Sequence, residues 1–239
     1  MTARDVVKRI YRGATRPIGS IQQVRDTPGR FVLTYDDGPD PRHTPAILEV
    51  LREFDATATF FVLMSKVDRN PELLREVAAA GHEIALHGID HQRLTSFTAP
   101  EVTARTAEGK ARLEDTLGSA IQWMRPPYGA QQFSTWRAIR KANVAPVMWS
   151  GTLWDWKDMP HDQRVAKAVS TAAPGVLLLA HDSFPDAGDG VIAAAEPHVE
   201  RARLTHDVLA AYADVGLTAC SLREALTEGD AQRWAWFAK

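Results

Sequence analysis

Short apolar runs alternate with amphipathic segments along most of this chain, and that alternation most limits its fold. It begins after Gly29. Phe31-Val32-Leu33-Thr34-Tyr35 is an apolar run ending in two acids, and Thr44-Pro45 has the residue types of a helix N-cap and first helical position. Ile47, Leu48, Leu51 and Phe54 follow on one helical face. The same order repeats. The runs 57–63, 83–86, 121–124, 144–149, 176–180 and 217–221 read as strands. Asn70-Pro71, a Thr98…Glu101 capping box, Ser134, Asp162 and Pro197 open helices between them. Strands alternating with helices form a parallel sheet. Seven such units with no linker predict a single α/β domain, a closed or nearly closed TIM-like barrel. A doubly wound open sheet is the alternative.

Composition narrows the function classes. With 28 Lys and Arg against 30 Asp and Glu, the net charge is −2, so no nucleic-acid partner is expected. At 45% hydrophobic and 24% charged residues, the chain has the make-up of a soluble globular protein. No apolar run reaches the roughly 20 residues of a transmembrane segment. The stretch MTARDVVKRIYRGATRPIG lacks the apolar core of a signal peptide, so a cytoplasmic location is expected, or an extracellular one for a shortened sequence. The single Cys220 excludes an internal disulfide and a cysteine-based zinc cluster. A bound metal must therefore use His, Asp or Glu, and there are eight histidines.

Two flanks stand apart from the alternation. Residues 1–29 read as an N-terminal extension in which Val6, Val7, Ile10 and Tyr11 recur at helical spacing among basic residues. A short helix leaning on the domain explains this better than a membrane-surface helix, because the stripe is brief. Residues 227–239 read as an aromatic tail, with Trp234, Trp236 and Phe237 expected to dock on the barrel or to make an oligomer contact.

The unusual polar residues follow the apolar runs. Asp36-Asp37-Gly38-Pro39-Asp40, His87 and His91, Arg125-Pro126-Pro127-Tyr128-Gly129, Asp155-Trp156 and His181-Asp182 each come just after a strand. In a parallel barrel those positions share one rim, where catalysis occurs. Each has a bland explanation: Asp-Asp-Gly-Pro is good turn chemistry, two histidines four apart arise by chance, and Arg125 can serve a structural ion pair. Together they suggest more. On a helical turn His87 and His91 would project from one face and share a metal, and Asp37 would complete a His-His-Asp set with room for water. Pro126 and Pro127 restrict the backbone before Tyr128, and Pro127 is placed on the substrate side. His181 beside such a site is a candidate general acid. Of Trp149, Trp154 and Trp156, Trp154 is the better sugar-stacking candidate, since Trp149 lies in a strand. The segment Asp182 to Asp189 is a candidate cleft wall.

This set resembles the polysaccharide deacetylase family, the NodB-homology domain or carbohydrate esterase family 4, over about residues 30–226. TYDDGPD is similar to its first motif, GHEIALHGIDH to the second, RPPYG to the third, WSGTLWDWKD to the fourth and LAH to the fifth. The resemblance implies a distorted (β/α)7 barrel and hydrolysis of N-acetyl or O-acetyl groups on an amino sugar, oligosaccharide or polysaccharide, releasing acetate. It implies that Asp37, His87 and His91 hold a divalent metal, zinc first, with cobalt or nickel as alternatives. It further implies that Asp36 is the base oriented by Arg125, that His181 is the acid tuned by Asp155, that the Tyr128 amide stabilises the oxyanion, and that Trp156 and Leu179 line the acetyl pocket. Two positions depart from the family pattern: Gly88 replaces a Ser or Thr in the second motif, and Thr152 replaces an Asp in the fourth. The competing functions are a metal-dependent hydrolase of a non-carbohydrate amide and a glycan-binding pseudoenzyme.

Overall fold

A computed structural model of the chain describes residues 18–192 and 195–237. The basic stripe around Val6 to Tyr11 falls outside the described residues. In chain order the strands are β1 (Ser20–Arg25), β2 (Arg30–Asp36), β3 (Thr59–Leu63), β4 (Glu83–Gly88), β5 (Trp123–Met124), β6 (Ala145–Pro146), β7 (Gly151–Thr152), β8 (Leu177–His181), β9 (Thr218–Cys220) and β10 (Asp230–Trp234). The helices are α1 (Thr44–Glu53), α2 (Met64–Arg69), α3 (Pro71–Ala79), α4 (Ala99–Leu117), α5 (Phe133–Lys141), α6 (His161–Val169), α7 (Arg201–Ala213) and α8 (Leu222–Glu228).

Seven strands form one hydrogen-bonded path, β6-β5-β4-β3-β2-β8-β7, and β9 joins the first half of β2. All of these pairings are parallel. The sheet curls into a distorted barrel with helices outside, as the resemblance implies. The expected strand 144–149 is only partly formed. The Val147 N–H still donates to Met124 O at 2.9 Å, but the Met148 N–H turns to Ile21 O of β1 at 2.7 Å, and the chain re-enters the sheet beside β8 as β7.

The period of two along each strand divides the core in two. Phe31, Leu33 and Tyr35 of β2, with Phe60 and Val62 of β3, face outward against Ile47 and Leu51 of α1 and Val208 and Tyr212 of α7. Val32, Phe61, Ala85 and Leu177 face inward and pack with Ile21 and Val24 of β1 and Leu222 and Ala225 of α8. The barrel floor is polar where it must be: buried Glu83 accepts from Thr59 Oγ1 (2.9 Å), Trp123 Nε1 (2.8 Å) and the Arg223 N–H (2.9 Å).

The two flanks hold strands that the sequence pattern does not announce. β1 and β10 pair antiparallel, Ser20 opposite Trp234 and Arg25 opposite Asp230. Bridges from Ile21 to Val147 and from Gln23 to Val176 fix this ribbon to both sides of the barrel seam. Trp236 and Phe237 dock on the barrel, against Trp149 and Phe133.

Candidate active site

Continuing the inward series of each strand leads to the site. Val32 and Thr34 precede Asp36 on β2, and Leu177 and Leu179 precede His181 on β8. The register pairs Asp36 with His181 directly. Arg125, which directly follows β5, reaches across below them. Its Nη1 donates to Asp36 Oδ1 at 2.6 Å and to Thr34 Oγ1 at 2.9 Å, and its Nη2 donates to Met148 O at 3.0 Å. Arg125 is completely buried, with its guanidinium 4.1 Å from the Phe61 ring centre. A buried cation needs such a partner, and here the partner is the Asp36 carboxylate.

Asp37 is adjacent in sequence, and strand alternation would turn it away from the cavity. Its backbone instead adopts φ +77°, which breaks the alternation and returns its carboxylate to the same cavity. The turn admits no side chain at Gly38, where a Cβ would sit 2.0 Å from Asp182 Oδ2. Buried Asp182 accepts from the Thr44 hydroxyl at 2.6 Å, and burial pushes its carboxyl up to about 7.

His87 ends the inward face of β4 and His91 follows in a turn, so the pair sits at a strand end rather than on a helical turn as expected. Each Nε2 lies 3.3 Å from Asp37 Oδ1. Asp37 Oδ1 and both Nδ1 atoms are buried without a hydrogen-bond partner. Burial outweighs the pull of Asp37 and pushes His91 down to about 4, so its ring is neutral at pH 7. Burial opposes charge on Asp37, but His91 and His87 hold it well below the usual carboxylate range. Two imidazoles and a carboxylate converging on one point, with orphaned polar atoms, form a donor set that fits a divalent cation. Gly88 lets this turn close, since a Cβ there would lie 2.7 Å from Asp90 O.

On the opposite side, His181 Nδ1 lies 2.7 Å from Asp155 Oδ1, and its backbone N–H donates to Asp155 Oδ2 at 2.7 Å. A carboxylate only accepts, so Nδ1 carries the proton and Nε2 is left for the cavity. Burial opposes charge on His181, but Asp155, with Asp37 and Asp36 beyond, outweighs it and pushes the imidazole up to about 9. Arg201 of α7 completes the group. It donates to His181 O at 2.9 Å and stands 3.7 Å from Asp155 Oδ2. Trp156 meets the His181 ring edge-on at 5.3 Å.

These groups line one cavity of about 400 Å³. Asp36, Asp37, His87, His91, Tyr128, Trp156, Leu179 and His181 are on its wall. Arg125 and Asp155 lie behind Asp36 and His181. Tyr128, with φ +61°, sits between His91 and the guanidinium of Arg93. Two expected substrate contacts are not on the wall. Trp154 is covered by the ammonium groups of Lys157 and Lys167, 3.8 and 4.5 Å from its ring centre, and Pro127 is buried. Trp149, whose place in a strand made it as readily a core residue as a cavity one, is on the wall. Phe184 and Pro185 join the wall, as expected for the segment after His181. Arg93 and Arg201 are wall residues that no sequence motif marked.

A family model described as polysaccharide deacetylase matches residues 23–147 of the chain. The chain belongs to the polysaccharide deacetylase family. It is 31% identical over 169 residues to a chitooligosaccharide deacetylase of Azorhizobium caulinodans, covering 70% of this chain and 80% of that protein. It is 30% identical over 193 residues to a peptidoglycan-N-acetylglucosamine deacetylase of Bacillus cereus, covering 78% and 89%. Among solved structures, the Bc1960 peptidoglycan N-acetylglucosamine deacetylase superposes with a TM-score of 0.77 at 24% identity, over 89% of this chain and 95% of that one. A pseudoenzyme of carbohydrate esterase family 4 from Bacillus anthracis shares the fold too, with a TM-score of 0.75 at 18% identity over 92% and 73%.

Proposed function

We propose that this family member is a metal-dependent deacetylase that hydrolyses the N-acetyl group of a glucosamine-containing oligosaccharide or polysaccharide. One observation carries the reading: the Asp36–Arg125 pair and the His181–Asp155 pair face each other across the Asp37, His87 and His91 donor set in a single cavity. The curated relatives named above act on chitooligosaccharide and on peptidoglycan N-acetylglucosamine, which supports an acetylated glucosamine substrate.

Asp37, His87 and His91 would hold the ion, and a histidine-rich set with one carboxylate favours zinc, with cobalt or nickel also suited. When bound, such an ion lowers the pKa of a water and polarises a carbonyl. Asp36, held by Arg125, accepts the proton of the attacking water. The Tyr128 backbone amide donates to the oxygen that gains negative charge as the carbonyl carbon becomes tetrahedral. Leu179 and Trp156 give the acetyl methyl an apolar surface. His181 Nε2 protonates the departing amine, and Asp155 keeps the ring in the required tautomer and charge state. The products are acetate and a free amine.

The fold alone does not separate an enzyme from a pseudoenzyme, since a pseudoenzyme shares it. The residue set supports the enzyme reading: Asp36 with Arg125, His181 with Asp155, and the donors Asp37, His87 and His91 are all present around one cavity. The test is acetate release from acetylated chitooligosaccharides, peptidoglycan fragments, acetylxylan and UDP-N-acetylglucosamine by the metal-loaded protein. The glucosamine oligomers are expected to be the best substrates. Release from none of the four compounds contradicts the reading.

A further inference from the structure

The cavity wall continues into an aromatic surface beyond the catalytic groups. Trp149 lines the cavity, and its ring lies 5.7 Å from that of Trp236, tilted by 52°. Phe237 then meets Phe133 edge-on at 5.8 Å, and Phe133 stacks on Trp136 at 5.7 Å. Trp236 remains 37% exposed and Phe133 46%. Isolated exposed rings are ordinary on protein surfaces. A connected series that starts in the wall of a catalytic cavity is not isolated.

The series is also held in place. Buried Gln131 donates from Nε2 to Trp236 O at 3.1 Å and to Ser20 Oγ at 3.0 Å. The β1–β10 ladder ends at Ser20 opposite Trp234, two residues before Trp236. Trp136 Nε1 donates to Gly19 O at 3.2 Å. Rings fixed before a ligand arrives spare it the entropy of ordering them.

A pyranose ring presents C–H faces that cover an aromatic ring while its hydroxyls stay in water, which matches half-exposed rings better than a fully apolar partner does. We propose that Trp149, Trp236 and Phe133 form subsites for the flanking sugars of a linear N-acetylated glucosamine oligomer, so that the C-terminal segment selects for chain length. This rests on the deacetylase reading of the cavity and adds a second property to it.

The test is calorimetric binding of N-acetylchitobiose and N-acetylchitopentaose to the metal-loaded Asp36→Asn protein, which measures affinity apart from turnover. The pentaose is expected to bind about tenfold tighter than the biose or more. Trp236→Ala in the same background should remove most of that preference, and Trp236→Tyr should restore much of it. An unchanged preference in Trp236→Ala overturns the proposal, as does an equal loss for both oligomers that Trp236→Tyr fails to rescue. Sedimentation showing that Trp236→Ala turns a dimer into a monomer would make the strip a contact between copies, and also overturns it. Failure of the catalytic reading looks different: the wild-type protein would prefer the pentaose yet release no acetate.

Discussion

Asp36 and Asp37 are neighbours with different partners, and the backbone between them makes this possible. Asp36 ends a regular strand and pairs with Arg125; Asp37, at φ +77°, turns toward two imidazoles. That backbone conformation costs on the order of 1–3 kcal/mol for a non-glycine residue, which the surrounding contacts must offset. Asp36→Asn should retain the metal while turnover falls about 10²- to 10⁴-fold, as read by metal analysis and acetate release. A second prediction concerns His181. In the proposed mechanism its protonated form is the acid, and a pKa raised to about 9 keeps that form present through neutral pH. Activity should therefore hold until pH approaches that value and then decline. Asp155→Asn removes the negative partner that raises the pKa, so the alkaline limb of the kcat profile should move to lower pH. A limb that stays in place would separate His181 from the leaving-group proton. The motif residues were legible because each follows a strand run. Arg201 and Trp149 were not: Arg201 comes from a helix twenty residues beyond His181, and Trp149 was indistinguishable from core in a strand-like segment.

At the scale of elements, the loop after β8 supports the loop after β4. The His91 N–H donates to Asp189 O at 2.8 Å, and the fully buried Asp189 carboxylate accepts from Ser65 Oγ at 2.7 Å and Arg69 Nη2 at 2.6 Å. Asp189 holds the turn carrying His91 without being part of the donor set. Asp189→Ala should lower metal affinity by roughly 10- to 100-fold, the range for a residue supporting a metal ligand. Unchanged affinity in a competitive chelator titration would show the loop to be independent of the site. Another element depends on a close approach. Gly175 has φ +72°, and a Cβ there would lie 1.6 Å from Val24 O. Gly175→Ala should force β1 away from β8 and cost about 3 kcal/mol, with Tm falling by roughly 2–4 °C for each kcal/mol in a chain of this length. The ribbon of β1 and β10 was invisible in the sequence because Ser-Ile-Gln-Gln-Val and Asp-Ala-Gln-Arg-Trp carry no apolar run, and the partners are about 210 residues apart.

For the whole molecule, the parallel sheet does most of the positioning. Every strand of a parallel barrel ends on the same rim, so groups from β2, β4, β8 and the segments after β5 and β7 meet without a long connection. The strand–helix alternation was enough to predict this arrangement, because period and order are local properties of the sequence. It could not show that the chain would leave the sheet between β6 and β7 to meet β1, or that the C-terminal segment would return to the rim, because both depend on contacts between distant segments. Among the described residues, no helix is long and apolar enough to cross a membrane. We propose this rim as a metal-dependent deacetylase site. Its most direct test is the release of acetate and free amine from an N-acetylated chitooligosaccharide by protein stripped with a chelator and then reloaded with zinc. Stripping is expected to abolish release, reloading to restore it with acetate and amine in equal amounts, and His87→Ala neither to hold the metal nor to recover. Undiminished release by the stripped protein, or unchanged metal content and activity in His87→Ala, would contradict it.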